Sequence, residues 1–410
     1  MPKAFLFDLD MTLVDSSALA DLRRQRMWTQ VAASMHLIRP FKVEAGAAAH
    51  ELPGKLKARD IPIAVVTSSP RRYAEAVIKA FDIECDALVT YEDTTEHKPD
   101  PAPIVEGLKQ IGVKASRDVF YVGDDGIDVE AAYHAGVSSI GVGWGIESLF
   151  GMSSTAPDIL VDEPKQLLRA IELDQLSYIG ERSAAGEKYS SHWGSVLHCD
   201  DHQNEVYALG RYMTAGDPRH AGHQLSRAIL SLKSGDKHAD MFGKALGKAI
   251  GLIETEAAFI VPVPPKPSQT RNRFEAVLAA AEAHLPDDME IDLEGLKCVK
   301  EVEGYKAMGP GERAAAIRGA FETKWDWDGA DVILIDDVYT TGETIAECAR
   351  ILKKQGAGTV QTVVLGKDQR AFVRKRCECG RTMKIRKNRQ GVQFWGCSGY
   401  PTYCQRTEDL

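Results

Sequence analysis

The chain has 410 residues, which at roughly 100 to 200 residues per domain predicts two or three folded units. Its hydrophobic content of 44% and charged content of 27% are typical of globular proteins and argue against a disordered or fibrous chain. The sequence contains no run of about 18 apolar residues that would span a bilayer, and it opens on an apolar strand rather than a basic leader, so we expect a cytoplasmic protein without a membrane partner.

Charge is distributed unevenly along the chain. The net charge is -9, yet residues 370–410 contain ten Lys or Arg and three Asp or Glu, which gives this segment +7 and the remainder -16. A basic segment on an acidic protein is typical of a separate module with its own partner.

Short apolar runs alternate with longer helical patterns in two stretches, residues 1–175 and 205–372. This alternation is typical of parallel sheets whose strands are joined by crossover helices. Residues 176–204 are rich in Ser, Gly, His and charge without a sustained period, which predicts a linker. We therefore predict an α/β protein with two doubly wound, Rossmann-like parallel-sheet domains and a small carboxyl-terminal ribbon at 373–410.

The first predicted strand ends in a pair of carboxylates. Side chains alternate along a strand, so Asp8 and Asp10 point to one side while Leu9 faces the other. Later strands of the same stretch also end in polar groups, namely Thr67, Lys98, Asp124 and the nearby Asp128. The carboxyl ends of parallel strands meet at one edge of a sheet, so these groups should converge around Mg²⁺, which takes oxygen ligands and suits a phosphate ester.

These motifs, in this order, resemble those of the haloacid dehalogenase superfamily of phosphohydrolases over about the first 170 residues. The resemblance implies that Asp8 is the nucleophile that takes up the phosphoryl group and that Asp10 is the general acid and base. Thr67 and Lys98 would bind the transferring phosphoryl group. The implied Mg²⁺ ligands are Asp8, Asp10, Asp124 and Asp128.

Residues 14–55 resemble the small helical cap with which such enzymes exclude water and select substrates. Met11 stands where many relatives have glycine, at a position without a catalytic group. A pair of acids that only caps a strand is the alternative, and four motifs in order argue against it.

A second phosphate-binding pattern follows the apolar strand 332–335. Asp336 and Asp337 come first, and the loop before the next predicted helix then contains Thr340, Thr341, Gly342 and Thr344. Small residues let backbone N–H groups point inward, and the helix amino terminus adds partial positive charge, so the loop suits a phosphate dianion. The paired acids suit sugar hydroxyls.

This loop resembles the phosphoribosyl pyrophosphate (PRPP) loop of type I phosphoribosyltransferases, and residues 261–274 resemble ComF-like members. The resemblance implies that Asp336 and Asp337 contact the ribose hydroxyls of PRPP and that the threonines and Gly342 bind its 5-phosphate. Lys266 would lie near the pyrophosphate. The alternative is a loop that binds PRPP without turning it over, since some family members are regulators.

Four of the eight cysteines lie in the basic segment, namely Cys377, Cys379, Cys397 and Cys404. The other four are scattered, which favours a reducing compartment, where clustered cysteines more often hold metal than form disulfides. Two cysteine pairs could build a tetrahedral, structural Zn²⁺ site. The segment resembles the zinc ribbons of bacterial type I topoisomerases, with one residue instead of two inside the first pair.

Cations and aromatic residues alternate in the same segment, the combination that binds single-stranded DNA or RNA. The candidates are Arg386, Lys387, Arg389, Phe394, Trp395 and Tyr400. The alternative is that the aromatic side chains fill the core of the ribbon itself.

Three functional hypotheses follow from these motifs. The first is a bifunctional phosphatase and phosphoribosyltransferase that acts on phosphorylated small molecules in nucleotide or phosphosugar metabolism. The second is a repair or antiphage effector that docks on nucleic acid through the ribbon. The third is a PRPP sensor in which only the phosphatase turns over.

Overall fold

The structure is a computed structural model that describes most of the chain. It covers residues 2–41, 48–145, 149–172, 177–187, 194–200, 205–269, 271–301 and 310–372, followed by 377–379, 381, 383–388, 393–397, 399–400 and 402–409. The chain divides into two compact units. Unit 1 comprises Met1–Tyr178 and Ser191–Gly194, and unit 2 comprises Ile179–Ser190 and Ser195–Leu410. Across the described ranges, every helix is too short or too polar to cross a membrane.

Unit 1 is organised around a sheet of six strands within its described residues. They are β1 (Ala4–Phe7), β2 (Ile63–Val66), β3 (Ala87–Val89), β4 (Val119–Gly123), β5 (Ser138–Val142) and β6 (Ile159–Val161). All pairings are parallel, in the order β3-β2-β1-β4-β5-β6. The strand order reverses between β1 and β4, and open α/β sheets bind their ligands at such a reversal. The parallel Rossmann-like sheet expected for this unit is confirmed.

Helices cover both faces of this sheet. They are α1 (Ala20–Arg24), α2 (Trp28–Ala33), α3 (Leu52–Lys57), α4 (Arg71–Ala80), α5 (Ala102–Gln110), α6 (Gly126–Ala135), α7 (Leu149–Ser154) and α8 (Pro164–Glu172). Phe5 and Phe7 face one layer and Leu6 the other, as the alternation of side chains along a strand requires. The described part of the predicted cap packs Val31 and Leu52 into the same core as Phe5, so this segment is continuous with the domain.

Unit 2 contains a second large sheet and a separate antiparallel pair of short strands. Its strands are β7 (Leu197–His198), β8 (Glu205–Ala208), β9 (Arg211–Tyr212), β10 (Phe259–Pro262), β11 (Glu290–Ile291), β12 (Lys297–Cys298), β13 (Phe321–Glu322), β14 (Val332–Tyr339) and β15 (Val360–Asp368). The sheet order is β11-β10-β14-β15-β8-β7, with β9 also on β15, and β12 pairs with β13. The helices are α9 (Ile179–Ala184), α10 (Gln224–Ser231), α11 (Ala239–Ile250), α12 (Glu275–Ala281), α13 (Pro310–Ile317) and α14 (Glu343–Lys354).

Two features of unit 2 differ from the sequence prediction. The sheet is mixed rather than purely parallel, because β7 runs antiparallel to β8. The segment 176–204, predicted as a linker, contains α9 and β7, and both Ile179 and Leu197 are fully buried. A six-residue helix and a two-residue strand are too short to show a hydrophobic period, so the sequence gives no signal for either.

The carboxyl-terminal segment forms a small antiparallel sheet of β16 (Met383–Lys387), β17 (Gln393–Cys397) and β18 (Thr407–Asp409). Among its described residues, Cys377, Met383, Trp395 and Cys397 form a core, with Cys404 packed against them. Small sheets of this kind are commonly stabilised by a bound metal.

Candidate functional sites

The reversal point of the unit 1 sheet brings three carboxylates together. Asp8 follows β1, Asp124 follows β4, and Asp128 lies in the first turn of α6. Carboxylate oxygens of the three lie within 4.8 Å of one another. Lys98 Nζ lies 2.9 Å from Asp8 Oδ1 and 2.7 Å from Asp128 Oδ1, and its side chain is 3% exposed. The sheet therefore assembles an acidic centre with one buried cation.

The carboxylates of this acidic centre carry more negative charge than Lys98 can balance. Burial raises the pKa of Asp8 to about 7, helped by Asp128 and Asp10 and opposed by Lys98. Burial also raises the pKa of Asp124 to about 8, with further contributions from Asp128 and Asp8. Crowded oxygen donors of this kind suit Mg²⁺. Asp8, Asp124 and Asp128 are thus the residues that would hold the ion.

Magnesium should stabilise unit 1 more at pH 8 than at pH 5. A carboxyl whose folded pKa is raised contributes stability that is complete below its ordinary pKa of 3.8 and is lost as the pH rises through 7 to 8. Mg²⁺ replaces those protons, so at about 100-fold excess over its Kd it should add about 2.7 kcal/mol at pH 8. For a domain of this size that is a rise in Tm of about 5 to 10 °C.

The measurement is a thermal melt with Mg²⁺ or chelator at both pH values. Asp124→Asn is the control variant, because it removes one ligand and should reduce the Mg²⁺ effect at pH 8. Equal Mg²⁺ effects at pH 5 and pH 8 would contradict the assignment of these acids as the ion's ligands.

Asp10 lines the same cleft as the acidic centre but is not among the three carboxylates that converge, so its role as a metal ligand stays a prediction. Its carboxylate accepts hydrogen bonds from Tyr73 OH at 2.6 Å and Ser69 Oγ at 2.7 Å, and it forms an ion pair with Arg23. Three side chains therefore hold the Asp10 carboxylate in place at the cleft. No motif in the sequence identifies Arg23 or Tyr73 as a site residue. Their contact with Asp10 depends on how the chain folds, not on a fixed spacing along the sequence.

Thr67 and Met11 complete the cleft of this site. Thr67 is buried at the end of β2, and its Oγ1 accepts a hydrogen bond from Ser69 N at 3.1 Å, which leaves the hydroxyl proton for a ligand. Met11 has a φ of 63°, a left-handed conformation that glycine adopts at little cost. This backbone angle is the physical reason that a glycine would suit the position.

The acid pair of unit 2 lies at the end of β14. Arg273 NH2 lies 3.0 Å from Asp336 Oδ1, and Arg273 Nε lies 3.4 Å from Asp337 Oδ2. Burial raises the pKa of Asp336 to about 7, Asp337 adds to this effect, and Arg273 opposes it. A cleft of about 1060 Å³ opens over both acids.

The loop after this pair leads into the 12-residue helix α14. Gly342 precedes the helix with a φ of 85°, and a Cβ there would lie 2.9 Å from the ring of Tyr339. The predicted ligand residues that line the cleft are Lys266, Asp336, Asp337, Thr340 and Thr344. Thr341 is exposed and donates a hydrogen bond to Glu343. Gly342 thus allows a tight turn directly before α14.

The four cysteines of the ribbon converge despite their unusual spacing. Cys377 Sγ lies 3.7 Å from Cys404 Sγ, and Cys379 Sγ lies 3.5 Å from Cys397 Sγ. All four sulfur atoms lie within 4.8 Å of one another. A tetrahedral site with Zn–S bonds of about 2.3 Å needs sulfur separations of about 3.8 Å. The donor set and its dimensions therefore fit Zn²⁺.

The ribbon divides the predicted nucleic-acid candidates into two groups. Trp395 is only 9% exposed and packs in the ribbon core, so it is not available to stack on a base. Phe394 is half-buried, Tyr400 is 45% exposed, and the Arg386 guanidinium lies 5.7 Å from the Tyr400 ring centre. The side chain of Lys387 and all of Arg389 lie outside the described residues.

A family model and several known proteins match part of this chain. Residues 24–142 match the family model of haloacid dehalogenase-like hydrolases. A protein of Caldanaerobacter subterraneus subsp. tengcongensis named "Putative pyrophosphatase PpaX" is 35% identical over 125 residues, which is 30% of this chain and 56% of that protein. Phosphoglycolate phosphatase of Escherichia coli is 28% identical over 122 residues, 29% of this chain and 48% of the enzyme.

The chain spans about half the length of these curated relatives. The crystal structure of a HAD-superfamily hydrolase from Ehrlichia chaffeensis aligns with 42% of this chain and 96% of its own, at 20% identity and a TM-score of 0.30. The family model alone shows a haloacid dehalogenase-like hydrolase domain, in residues 24–142 of this chain.

Proposed function

We propose that unit 1 is a Mg²⁺-dependent phosphatase that transfers a phosphoryl group from a small substrate to Asp8. The observation that carries this proposal is the acidic centre, in which the Asp8 carboxylate lies beside Lys98 at the reversal point of the sheet. The cleft over it has a volume of about 580 Å³, which suits a compact ligand. Relatives named as a pyrophosphatase and a phosphoglycolate phosphatase suggest pyrophosphate and phosphoglycolate as first substrates to test.

The proposed reaction has two steps that restore the enzyme. An Asp8 carboxylate oxygen attacks phosphorus, and the bond from phosphorus to the leaving oxygen breaks as Asp10 donates a proton to that oxygen. Asp10 then takes a proton from the water that attacks the phosphoaspartate, which releases inorganic phosphate. Lys98 and Thr67 offset the charge on the phosphoryl oxygens. A bound Mg²⁺ would supply further positive charge at the same oxygens.

The direct assay is release of inorganic phosphate from pyrophosphate and from phosphoglycolate, with Mg²⁺ and with chelator. We expect release that depends on the metal. Absence of phosphate release from both compounds and from a panel of small phosphate esters would contradict the proposal.

We propose further that unit 2 binds PRPP in the cleft over Asp336 and Asp337. Paired carboxylates accept hydrogen bonds from the two ribose hydroxyls, and the turn before α14 offers backbone N–H groups and a helix amino terminus to the 5-phosphate. Lys266 lines the same cleft, where it would face the pyrophosphate. Positive groups for the phosphates and acids for the sugar thus share one cavity.

Replacing both acids, Asp336→Asn with Asp337→Asn, should weaken PRPP binding by about a hundredfold or more. Each charge-assisted hydrogen bond contributes about 1.5 to 3 kcal/mol, and Arg273 would lose its partners as well. Calorimetric titration with PRPP and Mg²⁺ measures the change. The matched control is Asp287→Asn with Asp288→Asn, an adjacent and exposed acid pair in the same unit. Equal affinity of wild type and the Asp336/Asp337 variant would refute the site.

Turnover separates the enzyme hypothesis from the sensor hypothesis. In phosphoribosyl transfer, an incoming nucleophile forms a bond to C1 of the ribose as the bond to pyrophosphate breaks. Release of pyrophosphate during the titration, in the presence of candidate bases, therefore favours an enzyme. Binding without release favours a sensor.

We propose a third function for the ribbon, namely zinc-dependent contact with single-stranded nucleic acid. Two exposed tyrosines support it, each with an arginine over its ring. Arg386 lies 5.7 Å from the Tyr400 ring centre, and Arg381 lies 5.2 Å from that of Tyr403, which is 76% exposed. Bases stack on such rings and cations follow the backbone phosphates.

A further inference from the structure

Both carboxylate oxygens of Asp10 accept hydrogen bonds from neighbouring side chains. Tyr73 OH and the Arg23 guanidinium both donate to Oδ1, and Ser69 Oγ donates to Oδ2. Arg23 also donates to Ser16 Oγ. Asp10 is thus held by side chains from two separate parts of the chain, Arg23 in α1 and Ser69 with Tyr73 after β2.

Lys98 and Arg23, two cations of this cleft, differ in the number of carboxylates with which each forms an ion pair. Lys98 lies within 3 Å of two carboxylates, Asp8 and Asp128, and its side chain is 3% exposed. Arg23 lies against one carboxylate, and its side chain is 22% exposed at the cleft wall. Arg23 is therefore a partly exposed cation next to Asp10 that a second anion can reach.

Geometry fixes which part of a substrate meets Arg23. A general acid must lie about 2.6 to 3.2 Å from the oxygen that it protonates, so the leaving oxygen stands next to Asp10. Arg23 shares Oδ1 of Asp10, so substrate atoms one or two bonds beyond the leaving oxygen fall within reach of its guanidinium. A guanidinium binds planar or tetrahedral oxyanions through two parallel hydrogen bonds, which favours a phosphate or carboxylate there.

We propose that Arg23 binds a second anionic group adjacent to the scissile oxygen and that this binding releases Asp10 to act on the leaving group. The ligand class is a compact bis-anionic phosphate, either a pyrophosphate or a phosphate ester with a neighbouring carboxylate. The inference rests on the proposed phosphatase function of unit 1. It assigns to Arg23 both substrate selection and the positioning of Asp10.

Arg26 and Tyr91 line the same cleft. The Arg26 guanidinium lies 5.8 Å from the centre of the Tyr91 ring, and Tyr91 stacks on His97 at 4.0 Å. Arg26 therefore adds positive charge to the cleft, which also favours an anionic leaving group.

The test compares two pairs of substrates that differ in the second charge. Pyrophosphate is compared with methyl phosphate, and phosphoglycolate with 2-hydroxyethyl phosphate. For wild type, Arg23→Ala and Arg23→Lys, we measure kcat/KM on each member. Arg23→Ala should lower the ratio of charged to uncharged substrate by about tenfold to a hundredfold, mostly through KM, because one charge-assisted contact is lost. Arg23→Lys should keep most of the ratio, since the charge remains.

Arg72→Ala is the matched control, because Arg72 is an exposed arginine of the same unit and does not line the cleft. It should leave the ratio within about twofold, well under one charge-assisted contact. Equal losses on both members of each pair in Arg23→Ala would overturn the inference, since Arg23 would then act through Asp10 only.

Binding separates this inference from the phosphatase proposal. Asp8→Asn protein holds a substrate without cleaving it, so pyrophosphate affinity is measured in Asp8→Asn with and without Arg23→Ala. A tenfold or greater loss supports the second-anion site even if wild type hydrolyses none of the four compounds, an outcome that contradicts the phosphatase proposal alone. Unchanged affinity contradicts the site itself.

Discussion

Asp8→Asn should reduce Mg²⁺-dependent phosphate release by about 10³-fold to 10⁶-fold, the usual cost of removing a catalytic nucleophile. An amide cannot form the acyl phosphate. Lys98 pairs with Asp128 as well as with Asp8, so we do not expect the Asp128 carboxylate to replace Asp8 as the nucleophile. The loss should appear in kcat with every substrate. Phosphate release is measured on pyrophosphate and phosphoglycolate.

Folding of this variant should be preserved. The substitution removes one negative charge from buried carboxylates whose pKa values are raised, and Lys98 keeps Asp128 as a partner. The control is Asp118→Asn, which removes an exposed aspartate of unit 1 that pairs with Lys3 and should leave activity within about twofold. A folded Asp8→Asn protein with wild-type activity would contradict the nucleophile assignment.

Removing zinc should unfold the ribbon while unit 1 and the larger sheet of unit 2 stay folded. Structural Zn²⁺ contributes about 10 to 16 kcal/mol to such sites, a large share of the stability of so small a sheet. Cys397→Ser should abolish zinc binding and give the same result as a chelator. Metal analysis of the purified protein and hydrogen exchange of the β16 and β17 amides report the two effects.

Cys85→Ser is the control for this prediction, because Cys85 is a half-buried cysteine of unit 1 and should not change the zinc content. A protein without zinc, whose ribbon amides are equally protected with and without chelator, would contradict the site. Tyr403→Ala provides a separate comparison: it should keep zinc yet weaken salt-dependent binding to single-stranded oligonucleotides, by about 1 to 3 kcal/mol for each stacked base.

The two proposed small-molecule sites have related chemistry. Reactions that release pyrophosphate supply a compound with two adjacent anionic groups. This is the class of substrate that Arg23 is proposed to bind. Transfer of a phosphoribosyl group from PRPP is such a reaction. If unit 2 turns PRPP over, it therefore releases a compound of the class that unit 1 is proposed to hydrolyse.

The sequence identifies the acidic centre because its residues directly follow short apolar strands. Asp8 and Asp124 each come at the end of such a run, and the reversal of strand order then places them side by side. The same reasoning finds the acid pair after β14. In each case a local pattern is enough, since the ends of parallel strands converge whatever the rest of the fold does.

Other features cannot be predicted from the sequence, because they depend on the three-dimensional path of the chain. Asp10 meets Arg23 because the segment after β1 folds back over the site, and no spacing rule predicts that contact. Trp395 could equally fill a core or face solvent until the position of β17 is known. The antiparallel β7 has two residues and therefore no period.

The central claim is that a phosphoryl group passes through Asp8, and trapping the acyl phosphate tests it most directly. The protein is mixed with substrate and Mg²⁺, quenched in acid within one turnover, and treated with borohydride, which reduces an acyl phosphate but not a free carboxylate. Mass spectrometry of the peptide that contains Asp8 should then show homoserine at position 8, only when substrate was present. Phosphate release without reduction at position 8, or with reduction at another residue, would contradict this account.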